Sequence, residues 1–425
     1  MAKKKNAAKA PREMTHRQLS HHKRQQRRQR IIFFSGISII VVVVLIIIGG
    51  WFAGEYLPLH KIVIQVYDAE FDTAYYIDTL VLLGKSQGSG GLAGIGDSAV
   101  NRIMSDELLK QEAKKLGISV SEEEAKQFLE SVGIPINDAA MNAAIGQLLP
   151  DKLKSGYFTT LVPESDNQVY MKAMMVESET VAQLVREKIL NGENFTQLAE
   201  EYATNTYSKI NKGDYGWHPA SILIDQVGSN IPLDYAFNAD RIAGDVSAPL
   251  SDNESYKQMG YWLIRVNERP TEDSANVSAI YLGSEEEVLA VRARLEAGAE
   301  LGPIADELSQ YSTSKEKHGE LGLITTSDNI TDAYNGYVFS PAAEVGKWSQ
   351  PVREDVLWTR GGVWVVQVVD KEENRKLTTE DRTTLIENLY SQWTSDISSS
   401  ASPFMVNNLT DDLQQFAIER ASRKL

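Results

Sequence analysis

Two stretches of this chain read as copies of each other. Residues 173–216 align without a gap with 279–322, 106 positions on. Ala173, Gly192, Ala199, Gly213 and Gly216 fall on Ala279, Gly298, Ala305, Gly319 and Gly322. Further on the offset becomes 102, and Tyr235, Phe237, Gly244, Ser247, Pro249 and Trp262 fall on Tyr337, Phe339, Gly346, Ser349, Pro351 and Trp364. A repeat held in frame over such a distance predicts two copies of one small domain, about 100 residues each. The full 425 residues leave room for two to four domains.

Charge and hydropathy divide the chain before the repeat begins. Residues 1–30 hold eleven Lys or Arg and a single acid, Glu13, a net charge of +10. The whole chain carries −15, so the remainder carries −25. A basic tail invites a nucleic-acid reading. Its position argues against one, because an uncharged run, IIFFSGISIIVVVVLIIIGGWF, starts at Ile31 and closes at Phe52. As a helix, residues 31–52 span roughly 33 Å at 1.5 Å per residue, matching the ~30 Å hydrocarbon core of a bilayer. The run is too long for a usual signal-peptide apolar region, and no small-residue cleavage site follows it. Trp51 and Tyr56 stand where interfacial aromatics belong, and the basic flank predicts a cytoplasmic N-terminus. Residues 1–30 are then a basic cytoplasmic tail, 31–52 a single membrane-spanning helix, and the bulk of the chain extracytoplasmic.

There are no cysteines, which excludes a disulfide framework, thiol catalysis and Cys-ligated metal. Six scattered histidines give no metal-binding spacing outside the tail, so neither a metal nor another cofactor is expected. The glycine-rich stretch 84–96 follows a predicted helix and lacks a closing G-K-[ST]. It reads as a flexible connector and not as a phosphate cradle.

Outside the membrane, residues 62–67 read as a strand and 71–83 as a helix. A second helix runs over 100–116, with Ile103, Leu108, Leu109, Ala113 and Leu116 as its apolar stripe. Ser121 and Glu124 form a capping box that opens a third helix. This order, with RIMSDELLKQEAKKLGISVSEEEAKQFL, resembles the N-terminal region of the SurA and PrsA type of extracytoplasmic chaperone. The resemblance implies a helical chaperone domain over 61–168. It also implies a C-terminal helical segment, 373–425, returning to pack upon that domain, with 395–403 as a flexible hinge.

The repeat carries its own resemblance. GENFTQLAEEYA, KGDYGW, GDVSAP and the closing strand GYWLIRV are similar to the motifs of the parvulin, PpiC-type, fold of peptidyl-prolyl isomerases. The fold class expected is therefore α+β, with parvulin-like domains in tandem over 169–270 and 275–372. In that family two histidines face the cleft, one from the first strand and one from the last. Here the first-strand position is Ala173 or Ala279, and the last-strand position Trp262 or Trp364. The family's polar loop position falls near Asn205 or Thr206, and near Tyr311 or Ser312. His218 and His318 lie in loops and are read as solvated.

Isomerisation about X-Pro needs a twisted amide bound better than a planar one, against a barrier of ~18–20 kcal/mol. Losing both histidines twice implies weak or absent catalysis. Phe237 and Phe339 occupy the family's proline-pocket position, and Trp217, Tyr235, Tyr334 and Tyr337 stand near them as candidate substrate-binding residues. The function expected is a single-pass, membrane-anchored folding factor whose partners are unfolded or newly exported polypeptides, held in a cradle of helical and parvulin-like modules. An active isomerase with an altered site, or a scaffold subunit for one fixed partner, remain open at this point.

Overall fold

The computed structural model describes residues 16–85 and 89–425. The basic stretch 1–15 therefore lies outside the described residues. The chain divides into two units. One is built from the chain up to Thr159 together with Leu389–Leu425, the other from Thr160–Asn388. The fold is mixed α+β.

In the first unit a helix, His16–Trp51, covers the apolar run and continues through Phe52–Tyr56 and Leu57–Leu59. Every side chain over residues 33–52 is exposed. Beyond it lie the strands β1 (Ile62–Val66) and β2 (Ala69–Asp72), with the C-terminal strand Met405–Asn407 paired to β1. The helix expected from Phe71 starts at Thr73, because the Asp72 carboxylate accepts the Tyr75 N–H (2.9 Å) and caps it, leaving Phe71 in β2. The capping box is complete: Glu124 N–H donates to the Ser121 hydroxyl, and Ser121 N–H donates to the Glu124 carboxylate (2.8 Å). Val63, Ile64 and Val66 share a core with Tyr76, Ile77 and Leu80, and with Leu413, Ala417 and Ala421 from the C-terminal helix Asp411–Ser422.

Two loop expectations are corrected here. Residues 89–95 of the glycine-rich stretch form a 3-10 turn that buries Leu92, while 86–88 lie outside the described residues. The predicted hinge 395–403 is helical as far as Ala401, within the helix Thr379–Ala401. Ala401 is buried, Ile397 packs on the same core, and the Ser398 hydroxyl donates back to the Thr394 carbonyl (2.8 Å). Burial of two apolar side chains outweighs the poor helix propensity of the serine run.

The second unit holds the repeat as two lobes, each around a four-stranded sheet. Its strands are β3 (Ser165–Val176), β4 (Asp214–Pro219), β5 (Leu250–Lys257), β6 (Gly260–Thr271), β7 (Ser274–Leu282), β8 (Glu320–Thr325), β9 (Val352–Glu354) and β10 (Thr359–Lys376). One sheet runs β4-β3-β10-β5, the other β8-β7-β6-β9. The closing strand of each copy thus lies in the sheet of the other copy. β10 pairs with β3 through Val366 and Ala173, whereas β6 pairs with β7 through Ile264 and Ala279.

This corrects the tandem arrangement over 169–270 and 275–372. The reason is local. Thr271 faces Ser274, so only Glu272 and Asp273 join β6 to β7. A two-residue connection makes antiparallel hairpin neighbours of the strands it joins, and β6 is not free to return to β3. Lobe one is therefore 165–257 closed by β10. Lobe two, from β6 to β9, is inserted between β5 and β10. Each sheet buries both faces: Met174, Val176, Val363 and Val365 pack under helices on one side of lobe one, and Ala173, Met175, Trp364 and Val366 on the other.

Candidate functional site

The two clefts are built alike, by residues the repeat places in register. In lobe one the Ala173 N–H donates to the Gly213 carbonyl (2.9 Å), and in lobe two Ala279 does the same to Gly319 (2.8 Å). Gly213 has a φ of +69°, and a Cβ there would come within 3.0 Å of the Ala173 carbonyl. No other residue type fits so close an approach. The Ser247 hydroxyl accepts the Val366 N–H (3.0 Å), and the Ser349 hydroxyl accepts the Ile264 N–H (3.0 Å). These pairs again cross the copies.

The residues expected at the family's histidine positions are brought together, with their partners exchanged. Ala173 meets Trp364, two residues from Val366 on the same face of β10, and Ala279 meets Trp262. All four are fully buried.

In lobe one the Trp364 indole N–H donates to Asp252 Oδ2 (2.9 Å). The same carboxylate accepts the hydroxyls of Ser229 (2.7 Å) and Ser255 (2.7 Å), and the N–H groups of Glu254 and Ser255. Burial pushes this carboxyl up, but the donors Ser255, Trp364 and Ser229 outweigh it and hold the group below its ordinary value.

Lobe two is fastened by packing instead. The Trp262 ring is held by Tyr281, Tyr334 and Tyr311 at centroid distances of 4.7, 4.8 and 5.1 Å. Glu354 stands at the repeat position of Asp252. Yet Trp262 Nε1, Tyr334 Oη and Glu354 Oε2 are buried with no hydrogen-bond partner among the described residues. Burial drives the Tyr334 hydroxyl well above its ordinary pKa. An indole offers one donor and no titratable proton in this range.

The remaining candidates are placed as follows. Asn205 is buried with its side-chain oxygen unpartnered among the described residues, Thr206 and Ser312 are exposed, and Tyr311 packs edge-on against Trp262. The polar group next to Ala279 is instead Ser314, whose hydroxyl donates to the Ala279 carbonyl (2.5 Å), and its repeat counterpart Ser208 has its hydroxyl 3.3 Å from that of Tyr215.

Phe237 is half-buried and lines a cavity of about 510 Å³ with Val169, Arg241 and Ile242. The Arg241 guanidinium lies over the Tyr235 ring (5.2 Å) and that of Arg375 over Trp217 (4.2 Å). Phe339 and Tyr337 are half-buried, with Arg269 over the Phe339 ring (6.0 Å). Tyr334 is fully buried, which makes it core and not a cleft wall.

His218 departs from its solvated reading: its Nδ1 is 2.7 Å from the Oδ1 of buried Asp381. His318 is exposed, beside Asp306. Sequence reasoning missed Ser208 with Ser314, and Asp252 with Glu354. Both pairs keep the offsets of 106 and 102, which was the signal available.

Comparison with known proteins bears on this geometry. Residues 165–268 match the family model "Rotamase: PPIC-type PPIASE domain". That segment runs from β3 into β6, so its last strand lies in the other lobe's sheet. The chain is 27% identical over 194 residues to the foldase protein PrsA of Caldanaerobacter subterraneus subsp. tengcongensis, covering 42% of this chain and 59% of that protein. It is 27% identical over 212 residues to a parvulin-like PPIase of Rickettsia prowazekii, covering 46% of this chain and 68% of that protein. A crystal structure of the peptidylprolyl isomerase PrsA from Bacillus cereus aligns at 10% identity and a TM-score of 0.30, over 85% of this chain and 99% of that one. The alignment thus spans less than two thirds of the Caldanaerobacter foldase.

Proposed function

We propose, for a chain that carries a PpiC-type peptidyl-prolyl isomerase domain and is a homologue of the PrsA/SurA-like foldases, a membrane-anchored folding factor in which both isomerase-like clefts are degenerate in catalysis. It holds unfolded or newly exported polypeptide outside the cytoplasm. The observation that carries the loss of catalysis is the buried indole at the histidine position of each lobe, Trp364 tied to Asp252 and Trp262 packed among three tyrosines. A buried indole in place of an imidazole cannot order hydrogen bonds around a twisted amide as the family's histidine pair would, and selective binding of that amide is the whole of the chemistry.

Membrane anchoring is supported by the helical stretch Phe33–Leu59, whose most apolar 18 residues have a mean hydropathy of 2.8 with none of them buried. A continuous apolar surface of that length is stable in lipid and not in water. The excess of acidic residues beyond it keeps the rest of the chain dissolved and favours basic clients.

Exchange NMR on a short X-Pro peptide with the full chain in detergent micelles tests the reading. The expected result is peptide shift changes that report binding, with no acceleration of cis–trans exchange. Clear acceleration would return the clefts to catalysis, and Asn205, Thr206, Tyr311 and Ser312 would be the residues to substitute.

A further inference from the structure

Exchanging the closing strands leaves a concavity that neither lobe has alone. Where the chain crosses from β5 to β6 and back from β9 to β10, a cavity of about 610 Å³ opens between the lobes. An adjoining cavity of about 420 Å³ shares Asn253, Glu287 and Arg360 as walls. The first alone lies in the ~300–1,000 Å³ class of sites that enclose a ligand, and the pair makes an elongated cleft.

Tyr256, near the end of β5, and Trp358, between β9 and β10, line this cleft at 59% and 52% exposure. The indoles of the two histidine positions are, by contrast, fully buried. Half-exposed Tyr and Trp supply large contact area at low conformational cost. The other walls carry Glu287 and Glu307 against Arg294 and Lys315, balanced in charge, with the Arg360 guanidinium already paired to Glu254. Neither Arg294 nor Lys315 is in an ion pair among the described residues. A balanced set of donors and acceptors suits the neutral polar backbone of a peptide better than an ion. The walls are stiffened from within: the Gln310 side chain donates to the Arg360 carbonyl (3.2 Å) and accepts the Arg360 N–H (2.6 Å).

We propose that this interlobe cleft, and not the isomerase-like clefts, is where client polypeptide binds, as an extended segment with an aromatic side chain set against Tyr256 and Trp358. The inference rests on the chaperone reading above and adds the place and the preferred side chain.

The test uses the full chain in micelles with two fluorescein-labelled probes, reduced carboxymethylated α-lactalbumin and the peptide Gly-Ser-Phe-Ser-Gly-Ser, followed by anisotropy. The double variant Tyr256→Ser/Trp358→Ser changes exposed positions only, and Val345→Ser, exposed and not among the cleft's lining residues, is the control. Affinity for both probes is expected to fall by about tenfold or more in the double variant and to hold in the control. Replacing Phe by Ala in the peptide should weaken binding to the wild type by a similar factor and leave the double variant indifferent. Equal binding by wild type and double variant overturns the cleft while leaving the chaperone reading in place. No binding of either probe by the wild type overturns that reading, and the cleft with it.

Discussion

The strand exchange is open to a direct chemical test, because the chain has no cysteine of its own. Ala173 and Val366 are opposite one another on β3 and β10. The Ala173 N–H turns away to Gly213 and the Val366 N–H turns away to Ser247, so the two residues form a non-hydrogen-bonded pair. In such pairs the Cα atoms stand about 4.5 Å apart, inside the ~4.4–6.8 Å that a disulfide requires.

Ala173→Cys with Val366→Cys should therefore oxidise spontaneously, closing a loop of roughly 190 residues. Loop-closure entropy puts the stabilisation near 5 kcal/mol. Val366→Cys is close to isosteric, but the added sulfur at fully buried Ala173 costs about 1–3 kcal/mol of overpacking. The net of about 2–4 kcal/mol raises the thermal midpoint of this unit by roughly 5–15 °C, given ~2–4 °C per kcal/mol at this size.

Intact mass, free-thiol titration and mobility on a non-reducing gel read the bond, and calorimetry with and without reductant reads the shift. Ala173→Cys with Ile264→Cys should stay reduced, because Ile264 pairs with Ala279 in the other sheet. Cross-linking of that second pair, with the first left as free thiols, would refute the exchange and restore the tandem order.

The two indoles should answer differently to the same substitution. Trp364→Phe removes a donor to a buried carboxylate, a loss expected to cost about 1–3 kcal/mol by itself. Trp262→Phe removes an indole N–H that has no partner among the described residues and so loses ring packing alone, leaving it about 1–3 kcal/mol less costly than Trp364→Phe, which loses similar packing and the hydrogen bond; denaturant midpoints of the two variants compare them.

Asp252 contributes a pH dependence. Its folded pKa is held below the ordinary 3.8, so its contribution is complete above that value and is lost as pH falls through the lower folded pKa. Acid unfolding of the wild type should steepen below about pH 3.8, and Asp252→Asn should flatten that limb while lowering stability at neutral pH. In the first unit, Ser121→Ala opens the capping box and should cost about 1 kcal/mol, measurable as faster amide exchange in the helix Glu122–Ser131.

What could be read from the residues was whatever depends on neighbours in sequence. The capping box at Ser121 and Glu124 needs four consecutive residues and was visible in them. Phe71 was misplaced by two positions because Asp72 could be a helix interior residue or a cap, and only the Tyr75 N–H decides which. The serines at 395–403 suggested a hinge because the packing of Ile397 and Ala401 in one core with Leu413 and Ala417 is invisible locally. Within the clefts, the missing histidines were plain from the repeat. What fastens their replacements was not: Asp252 lies 112 residues from Trp364.

By itself the sequence predicted that one domain design occurs twice, that neither copy keeps a histidine at the positions the family resemblance assigns, and that an apolar helix precedes them. Periodicity, motif spacing and hydropathy are properties of the linear chain, and those conclusions need nothing else. It could not say which copy completes which sheet. GYWLIRV and GVWVVQV fit either position equally well, since strand pairing is satisfied by any partner of matching pattern. The tertiary structure decided between them through the two-residue turn at Glu272 and Asp273, which ties β6 to β7. From that decision follow the meeting of Ala173 with Trp364 and the cleft between the lobes.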